Sequence, residues 1–331
     1  MKALVYTGPE AMAFRDAGDP EPRDGEVVIQ VDAVGICGSD MHAWHGHDAR
    51  RPAPLILGHE AAGVVQTGAM AGKRVTVNPL VACMTCSYCK TGRTNLCPSR
   101  EIISMPPREG AFAQFIAMPE RNLIEVPDGL DLQVASLTEP MACSWHAIEL
   151  AAAALFEPFG EAIAVVLGGG AIGLAAALAL DAFGCRNIWS AETNPLRHQI
   201  LSKAGPFNVY NPLSGDGPDA GSVHIVVDAF GGAATRASST ALTRPGGVIV
   251  HIGLAGGEAG LDVRRMTLQE ITFIGSYTYT MDDFAKTAAA IFDGRLGDLD
   301  WFEERPLSDG AGAFRDINSG RAAHPKIILR P

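Results

Sequence analysis

Four cysteines fall within fifteen residues as Cys83-x2-Cys86-x2-Cys89-x7-Cys97. Thiolates at this spacing can close a tetrahedron around zinc, and four sulfur ligands leave no position for a substrate. The chemistry on offer is structural, one zinc stapling a local lobe. A disulfide cluster and an iron–sulfur centre compete with this reading. The first wants an oxidising compartment, whereas Met1-Lys2-Ala3-Leu4-Val5-Tyr6-Thr7-Gly8-Pro9 reads as a strand and turn and no signal peptide is expected. The second fits less well, because the x7 interval is long for ferredoxin-type spacing.

A second set of metal-capable residues is dispersed. It comprises Cys37 in Gly35-Ile36-Cys37-Gly38-Ser39-Asp40, His59-Glu60 after Gly58, and Glu139 in Thr138-Glu139-Pro140. Singly, these read as a small core thiol, a satisfied buried histidine and ordinary surface acids. Together they supply the S, N and O donors that an open catalytic zinc site uses.

A third constellation handles phosphate. Gly168-Gly169-Gly170-Ala171-Ile172-Gly173 fits G-x-G-x-x-G between a β-branched run and an Ala/Leu helix pattern. Gly168 permits the turn, Gly170 lets backbone approach a pyrophosphate, and Gly173 lets the helix pack closely with its positive end toward the phosphates. Glu192 closes Ile188-Trp189-Ser190-Ala191-Glu192, nineteen residues beyond Gly173. A carboxylate there accepts from ribose hydroxyls and repels a 2′-phosphate, which favours NAD over NADP. Arg197 could line the adenosine side and soften that discrimination.

These sites need a frame. Residues 1 to about 145 read as β-rich, with short segments at Val27–Val31, Ala61–Val65, Arg74–Val77 and Phe112–Ala117 between Gly/Pro turns. A helical stretch runs from Leu137 through Leu155. Strands and helices then alternate: 163–167, 172–183, 187–191, 195–204, 225–229, 233–242, 248–252 and 271–275, the pattern of a doubly wound parallel sheet. A helix near Met281–Phe292 and a strand at Lys326–Leu329 follow, in a tail too short for its own domain. Ala162–Leu180 is apolar enough to span a bilayer, but its glycines argue a strand, turn and buried helix.

With 331 residues, 47% of them hydrophobic, and a net charge of −11, the chain can fill two cores and is a poor match for nucleic acid or an anionic membrane. It reads as soluble and cytoplasmic. Cys143 and Cys185, outside the metal sets, read as buried bystanders.

In content and order, Gly-Ile-Cys-Gly-Ser-Asp-x-His, Gly-His-Glu, the four-cysteine lobe, Glu-Pro and the glycine fingerprint resemble the zinc-dependent medium-chain alcohol dehydrogenase family, over essentially the whole chain. The sorbitol/polyol branch is the nearest likeness, through residues 37–44, through Pro106-Pro107-Arg108-Glu109-Gly110, and through Glu139 where classical members place a cysteine. The resemblance implies an α/β protein: a GroES-like β-rich catalytic domain (1–145 and 277–331) and a Rossmann NAD-binding domain (146–276). It also implies a catalytic zinc on Cys37, His59 and Glu60. Glu139 would ligate directly or act through a bound water, the latter being favoured in this branch.

The implied reaction is zinc-assisted hydride transfer from a secondary alcohol or polyol to NAD, giving a ketone. Ser39 would relay the hydroxyl proton and His42 would pass it to solvent. Cofactor contacts would fall at Ile172, at Ile252-Gly253-Leu254 and at Tyr277-Thr278-Tyr279, and assembly as a homodimer or homotetramer is implied. Three departures stand out: Thr278-Tyr279 where many polyol members carry Arg-Tyr, Ala43 where a larger aromatic is common, and a shortened turn between Glu60 and Val75. Loss of the guanidinium removes a fork of donors suited to sugar hydroxyls, so sorbitol itself is in doubt. A threonine- or butanediol-type dehydrogenase, a zinc-ribbon nucleic-acid binder and a non-catalytic nucleotide-binding protein are the competing readings.

Overall fold

A computed structural model describes all 331 residues. Its centre is a six-stranded, all-parallel sheet in the order Asn208–Tyr210, Asn187–Ala191, Ile163–Leu167, Val223–Asp228, Thr243–His251, Thr272–Gly275. Counted along the chain this is 3-2-1-4-5-6, so the order reverses beside Ile163–Leu167 and opens a crevice at its carboxyl end. The sequence explains the centre: Ala164, Val165, Val166 and Leu167 are buried on both faces, as a strand covered by helices on two sides must be. The Ala171–Ala182 helix is likewise apolar all round and buried from Gly173 through Leu180.

The second body is a seven-stranded sheet. Its path runs Leu123–Glu125, Arg74–Val77, Glu60–Val65, Glu26–Gly35, Lys326–Arg330, Phe302–Pro306, with Phe115–Pro119 also on Glu26–Gly35. The last strand enters antiparallel beside Gly35 and Val34, so residues from both ends of the chain share one sheet. A three-stranded sheet of Ala11–Asp16, Lys2–Gly8 and Leu55–Ile56 covers one side. Ala33 and Ile328 pack in one cluster with Leu137, Trp145, Val166 and Leu174, which joins the two bodies through a common core.

Several elements differ from the sequence expectation, for local reasons. Glu26–Gly35 runs four residues past Val31, and a register shift between Val31 and Ala33 breaks the alternation that would have shown it. The outer strand starts at Phe115 instead of Phe112, because Phe112 is fully buried and gives its N–H to the Leu57 carbonyl. The helical stretch from Leu137 through Leu155 is the Thr138–Ala154 helix, and a short helix not expected from the sequence, Leu132–Ser136, precedes it with Leu137 between the two. Pro140 is tolerated in the longer one because it sits in the first turn, where its missing N–H has no intrahelical partner. No helix is long and apolar enough to cross a membrane, and 162–180 divides into a strand and a helix.

The Met281–Phe292 helix is fixed by a reciprocal cap: Asp283 Oδ2 accepts from the Thr280 N–H (2.8 Å) and hydroxyl (2.6 Å), and Thr280 Oγ1 accepts from the Asp283 N–H. His146 Nδ1 lies 2.8 Å from the same carboxylate. Burial alone would push the Asp283 carboxyl up, but His146 and the Thr280 donors hold it well below its usual range. A depressed carboxyl contributes stability above its unfolded pKa of ~3.9 that is lost as pH falls below it. Asp283→Asn should therefore lower stability by about 1–2 kcal/mol at pH 7. In denaturant melts run down to pH 3 that gap should begin to narrow as pH falls below ~3.9, and a pH-independent gap would contradict the cap.

Candidate active site

The crevice at the sheet's switch point opens into a cleft of about 680 Å³ between the two bodies. Cys37, Glu60 and Lys326 line one wall; Gly168–Gly173, Glu192 and Arg197 line the other. Each wall is built by short-range backbone chemistry. Gly168 adopts φ +103°, and a Cβ on Gly173 would stand 1.7 Å from the Gly168 carbonyl oxygen. The turn and the close helix approach therefore need glycine at both places. Gly170 caps the Ala171–Ala182 helix, leaving its N-terminal N–H groups facing the cleft. Glu192 follows the Asn187–Ala191 strand and accepts from the N–H groups of Gly169 (3.0 Å) and Asn194 (2.7 Å). Arg197 Nη1 is 3.5 Å from the same carboxylate, and its buried Nε has no partner.

On the opposite wall, donor atoms of Cys37, His59 and Glu60 lie within 4.8 Å of one another. Cys37 is the N-cap of the Gly38–Trp44 helix, and Asp40 Oδ2 accepts its N–H (3.0 Å). Asp40 Oδ1 faces His59 Nδ1 at 3.5 Å and accepts from the Gly58 N–H at 3.3 Å; Ser104 Oγ approaches the same ring nitrogen at 3.4 Å. A ring whose Nδ1 is held by a carboxylate presents Nε2 as a metal ligand. Burial alone would push the His59 ring down, yet Asp40 and Cys37 hold it well above its ordinary value.

Glu60 sits opposite Gly35 in the strand register. Its Oε1 accepts from Lys326 Nζ at 2.6 Å, while Lys326 also donates to the Ile36 carbonyl at 2.9 Å. Its Oε2 is buried with no partner, a free oxygen donor beside a thiol and an imidazole. This S, N, O set fits zinc. Glu139 is not in that group of three. It starts the Thr138–Ala154 helix and accepts the Tyr279 hydroxyl at 2.7 Å. Burial pushes its carboxyl up to about 7, with His59 lowering it and Glu60 raising it.

The four lobe cysteines are free thiols whose sulfurs lie within 4.8 Å of one another. Cys86 and Cys89 are 3.5 Å apart and Cys83 and Cys89 are 4.0 Å apart. A tetrahedron with Zn–S near 2.3 Å has an edge of about 3.8 Å, so the lobe fits zinc without rearrangement.

Residues 23–128 match the family described as Alcohol dehydrogenase GroES-like domain, and residues 171–293 match the one described as Zinc-binding dehydrogenase. L-galactonate-5-dehydrogenase of Escherichia coli K12 is 34% identical, over 99% of this chain and 98% of that protein. The chain belongs to the zinc-binding alcohol dehydrogenase family. Sorbitol dehydrogenase of Bacillus subtilis is 35% identical over 84% of this dehydrogenase and 82% of its own length. The crystal structure of Escherichia coli L-idonate 5-dehydrogenase shares the fold with a TM-score of 0.89, covering 100% of this chain and 98% of that one at 23% identity.

Not every residue singled out from the sequence of this dehydrogenase meets in the cleft. Ser39 and His42 lie one turn apart on the Gly38–Trp44 helix, half-buried, with no direct hydrogen bond between them. Ile172 is in the cleft wall and its carbonyl accepts from Ser144. Ser39, His42, His59 and Glu139 lie behind the cleft surface, and Ile252, Leu254, Tyr277 and Tyr279 are likewise not among the lining residues. Leu254 is exposed, Tyr277 receives Asn95 and Arg100 from the cysteine lobe, and Tyr279 is buried against Glu139. Cys143 is half-buried one turn beyond Glu139, and burial, then Glu139 and Cys37, push its thiol well up. Sequence reasoning passed over Asp40, although it stands inside the quoted motif, and it passed over Arg51, Ser104 and Lys326, which carry no local signal.

Gly35 supplies a sharp test of the donor geometry, since a Cβ there would meet Glu60 Oε2 at 2.0 Å. Gly35→Ala should weaken zinc binding at the cleft by about 10-fold or more, read by competition with a chromophoric chelator. NADH binding, on the other wall, serves as the control. Unchanged zinc affinity would show that Glu60 contributes nothing to the metal site.

Proposed function

We propose that this chain oxidises a secondary hydroxyl of a polyol or sugar acid to a ketone, using NAD and a zinc ion held by Cys37, His59 and Glu60. The observation that carries the reading is one cleft with an S, N, O donor set on one wall and a dinucleotide-type glycine turn on the other. The named relatives act on L-galactonate and on sorbitol, which supports a sugar-derived substrate. When bound, zinc supplies a Lewis acid for a hydroxyl oxygen and nicotinamide accepts the hydride.

The chain's own residues do the rest. Asp40 orients His59, and Lys326 occupies one Glu60 oxygen while leaving the other free. Ser39 takes the substrate's hydroxyl proton and His42, one turn on, hands it to solvent. Glu139, held by Tyr279 in a buried position near His59, stabilises the metal site from outside the group of three or through a water. Glu192 receives the adenosine ribose hydroxyls, with Arg197 held at its flank. Thr278 stands where many polyol members carry a guanidinium, and the loss of that donor fork favours a substrate other than sorbitol.

The domain division we adopt is 1–145 with 277–331 for catalysis and 146–276 for the coenzyme. The four-cysteine lobe holds a second, structural zinc. Its reduced thiols suit a reducing compartment such as the cytoplasm. The edge strand Thr272–Gly275, with Phe273, Val263 and Leu268 exposed about it, supports assembly as a homodimer or larger homo-oligomer through the coenzyme domain.

Purified enzyme should produce NADH absorbance with members of a panel of sugar alcohols, aldonic acids and diols, and a chelator should abolish it. Cys37→Ala should lose turnover and one equivalent of zinc while remaining folded, whereas Cys97→Ala should lose the other equivalent and melt earlier. A fully active Cys37→Ala enzyme would sink the assignment. Glu192→Ala should raise the NAD KM by about 10-fold or more, the loss of charge-assisted hydrogen bonds worth about 1.5–3 kcal/mol. NADP should be hurt far less, and equal effects on both cofactors would rule out the ribose role.

A further inference from the structure

Behind the metal donors lies a buried cation that the chemistry above does not use. Arg51 sits in the segment between the Gly38–Trp44 helix and the Leu55–Ile56 strand, with its side chain 2% exposed. Its Nε donates to the Ser104 carbonyl (3.1 Å), and Nη1 donates to the Ser39 carbonyl (2.8 Å) and to Asp48 Oδ2 (3.3 Å). A single planar guanidinium therefore grips two chain segments that are far apart in sequence.

Those two segments carry the groups that face the back of the metal ligands. Ser104, fully buried and in the left-handed region at φ +66°, points its hydroxyl at His59 Nδ1. Ser39 immediately precedes Asp40, whose carboxylate faces the same ring nitrogen and takes the Cys37 N–H. Asp40 is wholly buried, one residue along the chain from the Ser39 carbonyl that anchors Arg51. Asp48, which is only 9% exposed, pins Arg51 from the outer side and is itself gripped by Arg50 at the surface.

We propose that Arg51 is a positioning residue of the metal site: it clamps the Ser39 and Ser104 backbones so that Asp40 and Ser104 hold His59 in its ligating orientation. The clamp also fixes the backbone of Ser39, the residue assigned to take the substrate proton. The role requires a fork of donors, since a lysine ammonium keeps the charge but cannot span both carbonyls in one plane. The proposal rests on the zinc reading of Cys37, His59 and Glu60, and its test separates the two.

The test uses full-length protein with the cleft site loaded with Co²⁺, whose visible absorption reports ligand geometry, alongside zinc release to a chromophoric chelator. Arg51→Lys should keep NADH binding, shift the Co²⁺ bands and release cleft zinc about 10-fold or more faster, with lobe zinc retained. Ser104→Ala, which leaves the clamped carbonyl in place, should shift the same bands less. A folded Arg51→Lys protein with wild-type bands and wild-type release overturns the proposal. Should Arg51→Lys not fold, Ser104→Ala decides alone, and wild-type bands and release there overturn it equally. Cys37→Ala distinguishes the underlying reading: loss of one metal equivalent with silent Arg51 and Ser104 variants condemns the clamp alone, whereas no loss condemns the cleft metal and the clamp together.

Discussion

The pair between Glu60 and Lys326 is the contact on which the catalytic wall depends. Both side chains are about 98% buried, their charged atoms are 2.6 Å apart, and 266 residues of chain separate them. Lys326 begins the strand that docks beside Gly35, so the ammonium arrives at the metal wall only when the C-terminal segment has closed the seven-stranded sheet. Removing one partner of such a pair leaves an uncompensated buried charge, a cost of about 3–5 kcal/mol. Sheet closure thus supplies the counter-charge of one of the three donors. Gly35 belongs to the same constraint, because the space a Cβ would take is the space Glu60 Oε2 occupies.

The cysteine lobe takes part in the same logic from the other side. Asn95 donates to the Tyr277 carbonyl, Arg100 donates to the Tyr277 hydroxyl and stacks on its ring, and Thr94 Oγ1 accepts the Met281 N–H. The segment so braced carries Tyr279, which reaches back 140 residues to Glu139. Thr278 between them sits at φ +49°, a conformation a β-branched residue adopts only when its surroundings over-determine it. A lobe with no access to the cleft thereby sets the position of a carboxyl at its edge. This gives a physical reason why a four-cysteine lobe accompanies the cleft donors in one chain.

What was legible in the sequence was what is local. The glycine turn, the coenzyme-side strands and helices, and the Cys-x2-Cys-x2-Cys lobe declare themselves within twenty residues. Pro195–Ala204, Ala233–Leu242 and Asn187–Ala191 have the bounds their periodicity and caps imply. The catalytic wall was legible only as loose pieces: Cys37, His59 and Glu60 carry the donor chemistry, but nothing near them names Lys326 or Arg51. A lone lysine at the start of a short apolar strand reads as a solvated end, and an arginine in a Pro-rich loop reads as surface. Only tertiary structure turns them into buried counter-charges. Tyr279 shows the converse, a residue in a recognisable stretch whose hydroxyl is committed to Glu139 and not to the dinucleotide wall.

Charge balance explains why so many ionisable groups are tolerated in one small volume. Asp40, Glu60 and Glu139 are all buried there, with only Lys326 and Arg51 as permanent cations. Adding the Cys37 thiolate makes the acidic excess larger, and isolated buried anions are not sustainable at low dielectric. Three outcomes can relieve the excess: protonation of a carboxyl, protonation of His59, or capture of a multivalent cation. Glu139, brought to about 7 by burial, and His59, held well above its ordinary value, are the two groups that bend toward the first two outcomes. A divalent ion at the Cys37, His59 and Glu60 donors removes the need for both. The ring can then be neutral with Nδ1–H on Asp40, and the Glu139 carboxyl is free to accept from Tyr279. The same groups become mutually satisfied around a cation, so the acidic excess of this wall favours capturing one.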